Sequence, residues 1–150
     1  MKFSGSIDIN HSLEKVTELF ADPKYLKEYQ EGFDRKELLK GDAGQSGAIS
    51  KMYYKNGKHE MELTETIISN NLPSSFEALY HHKYMDNTMK CTFTKLDNGM
   101  IRYQTEVEYT RIDWVIPRLM AILFPSMYKK PAQRWMNNFK DFVENQKKEL

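Results

Sequence analysis

The chain has a single cysteine, Cys91, among 150 residues. One thiol cannot close an intrachain disulfide, and a thiolate zinc site would lack its other ligands, so a reducing, cytoplasmic setting is expected. Long apolar runs are missing as well. No stretch of about 18 apolar residues exists to span a bilayer, and the amino terminus, Met1-Lys2-Phe3-Ser4-Gly5-Ser6-Ile7, alternates instead of forming an apolar leader. Charge of one sign is not in excess: 22 basic residues stand against 21 acidic ones, for a formal net charge of +1. That is too little to neutralise a phosphate backbone and argues against a nucleic-acid partner. GxGxxG, Walker A, GxSxG, HExxH and CxxC motifs are all absent, so nucleotide chemistry, a metal site and a cofactor are not expected. Without a Pro-, Gly- or Ser-rich linker, and without a repeat, residues 1–150 read as one domain.

What the chain does have is bulk: 9 Met, 8 Phe, 9 Tyr and 2 Trp, enough for a folded core although only 40% of residues are hydrophobic. Phe3, Gly5, Ile7 and Ile9 alternate with polar residues, the period of a half-buried strand. A helix follows, capped by Ser12 and carrying Leu13, Val16, Leu19 and Phe20 on one stripe. Asp22-Pro23 ends it and opens a short second helix, because Pro suits a first helical position and Asp the cap before it. Tyr25, Leu26 and Tyr29 form its inner face.

From Phe33 to Arg111 the turn residues cut the chain into six strands of roughly ten residues, a run of antiparallel hairpins. Asn56-Gly57 predicts a two-residue type I′ turn, with Tyr54 opposite His59, Met52 opposite Met61 and Ser50 opposite Leu63. This register places Met52, Tyr54, Met61, Leu63 and Ile67 on one face, and Ile49, Lys51, Tyr53, Glu60, Glu62 and Thr64 on the other. Later breaks are predicted at Asn70-Asn71-Leu72-Pro73, Asp86-Asn87 and Asp97-Asn98-Gly99. After Arg111 the helical period returns, first over 113–124 and then in a segment running to about Lys148. There Trp135, Met136, Phe139, Phe142 and Val143 make an apolar stripe. Pro131 predicts either a kink or the first residue of that helix.

A meander of this length has an apolar face that only the last helix is long enough to cover. This order of elements resembles the SRPBCC superfamily, which includes the START, Bet v 1-like and polyketide cyclase/dehydrase-type lipid-binding proteins. The resemblance covers essentially the whole chain. It is carried by the first strand running into 12–23, by the Gly41 to Gly47 turn region and by 135–144. It implies an α+β helix-grip fold: a curved antiparallel sheet of about seven strands wrapped around a long carboxy-terminal helix, with two short helices after the first strand. It also implies a cavity for an apolar small molecule or lipid, used for transport, sensing or, in some branches, cyclisation and hydrolysis.

Glu65 is the first residue to single out, since the hairpin places its carboxylate among Met52, Met61, Leu63 and Ile67. An acid there needs a partner, and it either orients a ligand, carries a proton, or is a structural carboxylate paired with a neighbouring strand. His82 shares a face with Tyr80 and Tyr84, and a turn at Asp86-Asn87 would put Cys91 close to opposite it. A Cys91–His82 dyad lacks an orienting third group, so a ligand-contacting imidazole or a plain core role is the stronger reading of these residues. Tyr80, Tyr103 and Tyr109 offer hydroxyl groups on an apolar face. The expected ligand-lining set is Tyr54, Met61, Leu63, Glu65, Tyr80, His82, Cys91, Phe93, Tyr103, Trp135, Met136 and Phe139, with no catalytic or metal-binding residue assigned. The apolar segment 114–125 is either a lid that makes transient contact with membranes or partners, or a helix packed on the sheet edge or in a homodimer. Three functions remain open: hydrophobic-ligand binding, a cyclase or hydrolase using Glu65 or His82 as acid-base, and an interaction module with a filled core.

Overall fold

The computed structural model describes residues 2–113 and 126–147. β1 (Lys2–Ile9) leads into α1 (Leu13–Ala21), a 3-10 turn (Pro23–Tyr25) and α2 (Leu26–Tyr29). Six strands follow: β2 (Phe33–Lys40), β3 (Ile49–Asn56), β4 (His59–Asn71), β5 (Ser75–His81), β6 (Met85–Lys95) and β7 (Ile101–Ile112). The last described element is α3 (Ser126–Glu144). The described strands make one seven-stranded antiparallel sheet in the order β1-β7-β6-β5-β4-β3-β2. β1 and β2 are therefore opposite edges, and α1 and α2 carry the chain from one edge to the other.

The local chemistry explains the joints. The Ser12 hydroxyl accepts from the Lys15 N–H at 3.2 Å and starts α1. Asp22 ends it, and the Asp22 carboxylate accepts from the Lys24 N–H at 3.0 Å to cap the next turn, with Pro23 leading. Val16 and Leu19 of α1 are buried, as are Leu26 and Tyr29 of α2. At β1, Gly5 lets α3 come close: a Cβ there would lie 3.1 Å from Gln133 Oε1 and 3.2 Å from Met136 Sδ.

An aromatic group gathers where α1 and α3 meet the sheet. The Phe20 ring stands edge-on to Phe93 at 5.0 Å, Phe76 at 5.6 Å, Tyr103 at 5.9 Å and Phe139 at 6.2 Å between centroids. Such contacts each add about 0.5–1.5 kcal/mol beyond simple burial. Ile9, Val16, Ile101, Phe139 and Val143 complete this end, all fully buried.

Three expectations need correction. In the β3–β4 hairpin, Asn56 pairs with His59, so Gly57-Lys58 are the central turn residues, and Tyr54 lies opposite Met61, Met52 opposite Leu63 and Ser50 opposite Glu65. Gly57 at the first central position has φ +64°, while no non-glycine residue among those described has a positive φ, which suits a type II′ turn and not type I′. The slip is two residues, so every side chain keeps the face assigned to it. Secondly, the β5–β6 turn lies at 82–84, and Asp86 and Asn87 belong to β6. Finally, α3 begins at Ser126, so Pro131 is not its first residue, and it ends at Glu144 instead of near Lys148. The helix expected over 113–124 falls, apart from Asp113, outside the described residues.

Candidate ligand site on the concave face

The face of the sheet that meets α3 carries Gly5, Met52, Tyr54, Ile67, Ala78, Cys91, Phe93, Tyr103 and Val107, and all but Gly5 are buried. Strand register arranges these residues in lines. One is Met52–Leu63, and another is Ile67–Ala78–Met89–Val107. Between them runs a line of polar side chains, Ser50–Glu65–Tyr80–Asn87, one from each of β3, β4, β5 and β6.

Glu65 is buried, with 4% of its surface exposed. Lys36 Nζ donates to its Oε1 at 2.8 Å, and the Tyr80 hydroxyl donates to its Oε2 at 2.7 Å. The sequence indicated an acid in need of a partner but not which cation supplies it. Plain alternation along β2 puts Lys36 on the face opposite Phe33. A bulge between Phe33 and Arg35 adds one residue to β2, and Lys36 then pairs with Met52 and turns inward with Phe33. Burial raises the Tyr80 hydroxyl well above its ordinary pKa, and the adjacent Glu65 carboxylate adds to this, so the phenol stays protonated as a donor.

The remaining expected residues separate by position. Tyr54 stacks on Trp135 at 5.9 Å with 10° between the rings, and its hydroxyl donates to Gln30 Oε1 at 2.8 Å. Gln30, in the loop after α2, had no signature in the sequence. Leu63 and Trp135 are half-buried against the core, whereas Met61 is 41% exposed at the hairpin end. Phe93, Tyr103, Met136 and Phe139 belong to the buried core, three of them to the Phe20 aromatic group.

Cys91 lies opposite Phe76 and Thr105 rather than opposite His82, so the residues of the suggested dyad are not brought together. Its Sγ is 3.6 Å from the Tyr103 hydroxyl and 3.7 Å from Thr105 Oγ1. Burial pushes the thiol up to about 11, against the lowering effect of those two contacts, which makes it a poor nucleophile. His82 sits just past the end of β5. Its Nδ1 accepts from the Tyr84 N–H at 3.2 Å, and its carbonyl accepts from Arg111 at 2.8 Å. Burial lowers its pKa, helped by His81, Arg111 and Lys83, so it is neutral with the proton on Nε2. Tyr109 packs on Phe3 with ring centroids 5.9 Å apart.

No described helix is long and apolar enough to cross a membrane. Among the described residues no three His, Cys, Asp or Glu side chains gather as a metal site. A separate polar groove of about 410 Å³ runs over Ser4, Ser6, Lys90, Thr92, Gln104 and Glu106 and contains none of the expected ligand-lining residues.

No family model matches the chain, and no curated protein matches it. Solved structures do. The protein CV1439 from Chromobacterium violaceum superposes with a TM-score of 0.75 at 17% identity, covering 97% of this chain and 98% of that one. The Zhui aromatase/cyclase from Streptomyces sp. R1128 gives 0.77 at 8% identity, over 96% and 93%. The ginseng major latex-like protein 151 from Panax ginseng gives 0.71 at 12% identity, over 95% and 97%. At such identities the likeness establishes fold, and the fold is the helix-grip architecture that the sequence resemblance implied.

Proposed function

We propose that this chain binds an apolar small molecule or lipid between the concave sheet face and α3, with Glu65, Lys36 and Tyr80 fixing its orientation. The supporting observation is the Lys36–Glu65–Tyr80 network itself, set between two apolar lines of the sheet. A face built only for packing gains little from it, since apolar residues of the same volume stabilise a core as well as a buried ion pair does. Small-molecule sites, by contrast, combine mostly apolar walls with a few placed polar groups. Leu63, Met89 and Trp135 are partly buried apolar side chains packed on the core. In this reading they form the wall, and affinity comes from covering them at about 25 cal/mol per Å² of apolar surface.

Displacement of a fluorescent apolar dye by a panel of fatty acids, sterols and aromatic polyketides tests the proposal. Saturable displacement by at least one class is expected, weakened at least tenfold in Trp135→Ala. A dye that fails to bind, or one that no member of the panel displaces, contradicts it.

A further inference from the structure

The polar line on the concave face has hydrogen-bonding capacity beyond its own contacts, and its chemistry limits what can lie against it. This deepens the binding reading above and rests on it. Lys36 and Glu65 sit 2.8 Å apart, so their charges cancel at the site. The Lys36 ammonium has three N–H groups and gives one to Glu65. Tyr80 uses its only donor on Glu65, which leaves its oxygen as an acceptor. Among the described residues, the Ser50 hydroxyl and the Asn87 amide, on either side of Glu65 and Tyr80, make no side-chain hydrogen bond. Ser50 is 5% exposed. Unused donors and acceptors therefore lie side by side along a strip with no net charge, with apolar side chains above and below it.

A carboxylate laid on this strip would meet Lys36 but also the Glu65 carboxylate. An ammonium would meet Glu65 and Tyr80 but also Lys36. A pure hydrocarbon would cover the unused donors and acceptors without replacing their water, at a cost for each group. A hydroxyl both donates and accepts and is the match. We infer that the ligand of this site is an uncharged amphiphile whose polar part is an alcohol or phenol, docked on the Ser50–Glu65–Tyr80–Asn87 line.

The test is calorimetric titration of the full chain at pH 7 with four matched probes: naphthalene, 2-naphthol, 2-naphthoate and 2-naphthylmethylamine. The inference expects 2-naphthol to bind at least about tenfold more tightly than each of the others. It further expects Glu65→Gln, which leaves the Lys36 charge uncancelled, to shift the order about tenfold toward 2-naphthoate, and Lys36→Met to shift it toward the amine. A purely structural role for the pair would weaken all four probes alike. Circular dichroism establishes that each variant is folded, and the wild-type order decides the question even if a variant is not. Equal affinities for the four probes overturn the inference and leave an apolar site standing. Tightest binding of 2-naphthoate or of the amine to the wild type also overturns it, and failure of all four to bind contradicts the binding reading along with it.

Discussion

Removing the Glu65 carboxylate strands the Lys36 ammonium, whose side chain is 19% exposed, in a largely dry place. Glu65→Leu is therefore expected to destabilise the protein by about 3 kcal/mol, read from the urea midpoint, because an unpaired buried charge costs more than the pair contributes. The double variant Lys36→Met/Glu65→Leu should recover most of that loss, and a double loss equal to the sum of the singles would show that the pair is not coupled. Cys91 gives a second residue-level expectation. Its folded pKa of about 11 exceeds the ordinary 9.0, because burial disfavours the thiolate. A group whose pKa is raised on folding adds stability that is fully present below the unfolded value and is lost as pH climbs through the folded one. Stability should thus fall between pH 9 and 11 by on the order of 2 to 3 kcal/mol from this group alone. The fall between pH 9 and 10 should be smaller in Cys91→Ala, and equal falls in the two proteins would contradict the assignment. Native Cys91 should also resist a maleimide that labels the unfolded chain at once. At this scale the acid was legible and its cation was not. Alternation identifies Glu65 because β4 keeps a regular pleat through it, whereas Lys36 depends on a bulge that leaves no mark in Phe33-Asp34-Arg35-Lys36.

Hairpins and helices follow local rules until a tertiary contact overrides them. The parity of β3 and β4 was readable from hydrophobicity alone, and it survived a turn expected one residue too early because the resulting slip in pairing is two residues. The turn at 82–84 was not readable, because Asp86 and Asn87 look like turn residues. Yet Asp86 receives Arg111 from β7 at 2.9 Å, and Asn87 continues the polar line of the concave face. The early start of α3 at Ser126 likewise goes against the propensity of Pro131. The docking of α3 on β1 offers a test at this scale. Gly5→Ala presses on the ends of the flexible Gln133 and Met136 side chains and makes an ordinary contact with Thr105, so it should cost no more than about 1 kcal/mol. Gly5→Val adds two further methyl groups at the same contact and should cost about 2 kcal/mol by thermal unfolding. Equal, negligible costs for both would mean that α3 is not pressed against β1 in solution.

The whole molecule was the most legible level, because architecture depends on element order and period rather than on any one register. One strand, two short helices, six strands and a long amphipathic helix can bury their apolar faces together in few ways, and the grip of the sheet on α3 is the outcome. The site was less legible, for a physical reason. Concave-face residues at the α1 end, such as Phe93 and Tyr103, have the same composition and parity as those near Glu65, and their ring contacts with Phe20 and with each other mark them as packed core. The central claim is that the remaining concave face, around Glu65, Tyr80 and Trp135, takes up an apolar guest. Native mass spectrometry of the purified full chain, compared with the denatured chain, measures this most directly. The account predicts a non-covalent adduct of small-molecule or lipid mass in the native spectrum that is lost on denaturation and reduced in Trp135→Ala. A native spectrum at the bare chain mass, unchanged after incubation with a broad extract of cellular lipids, would contradict it.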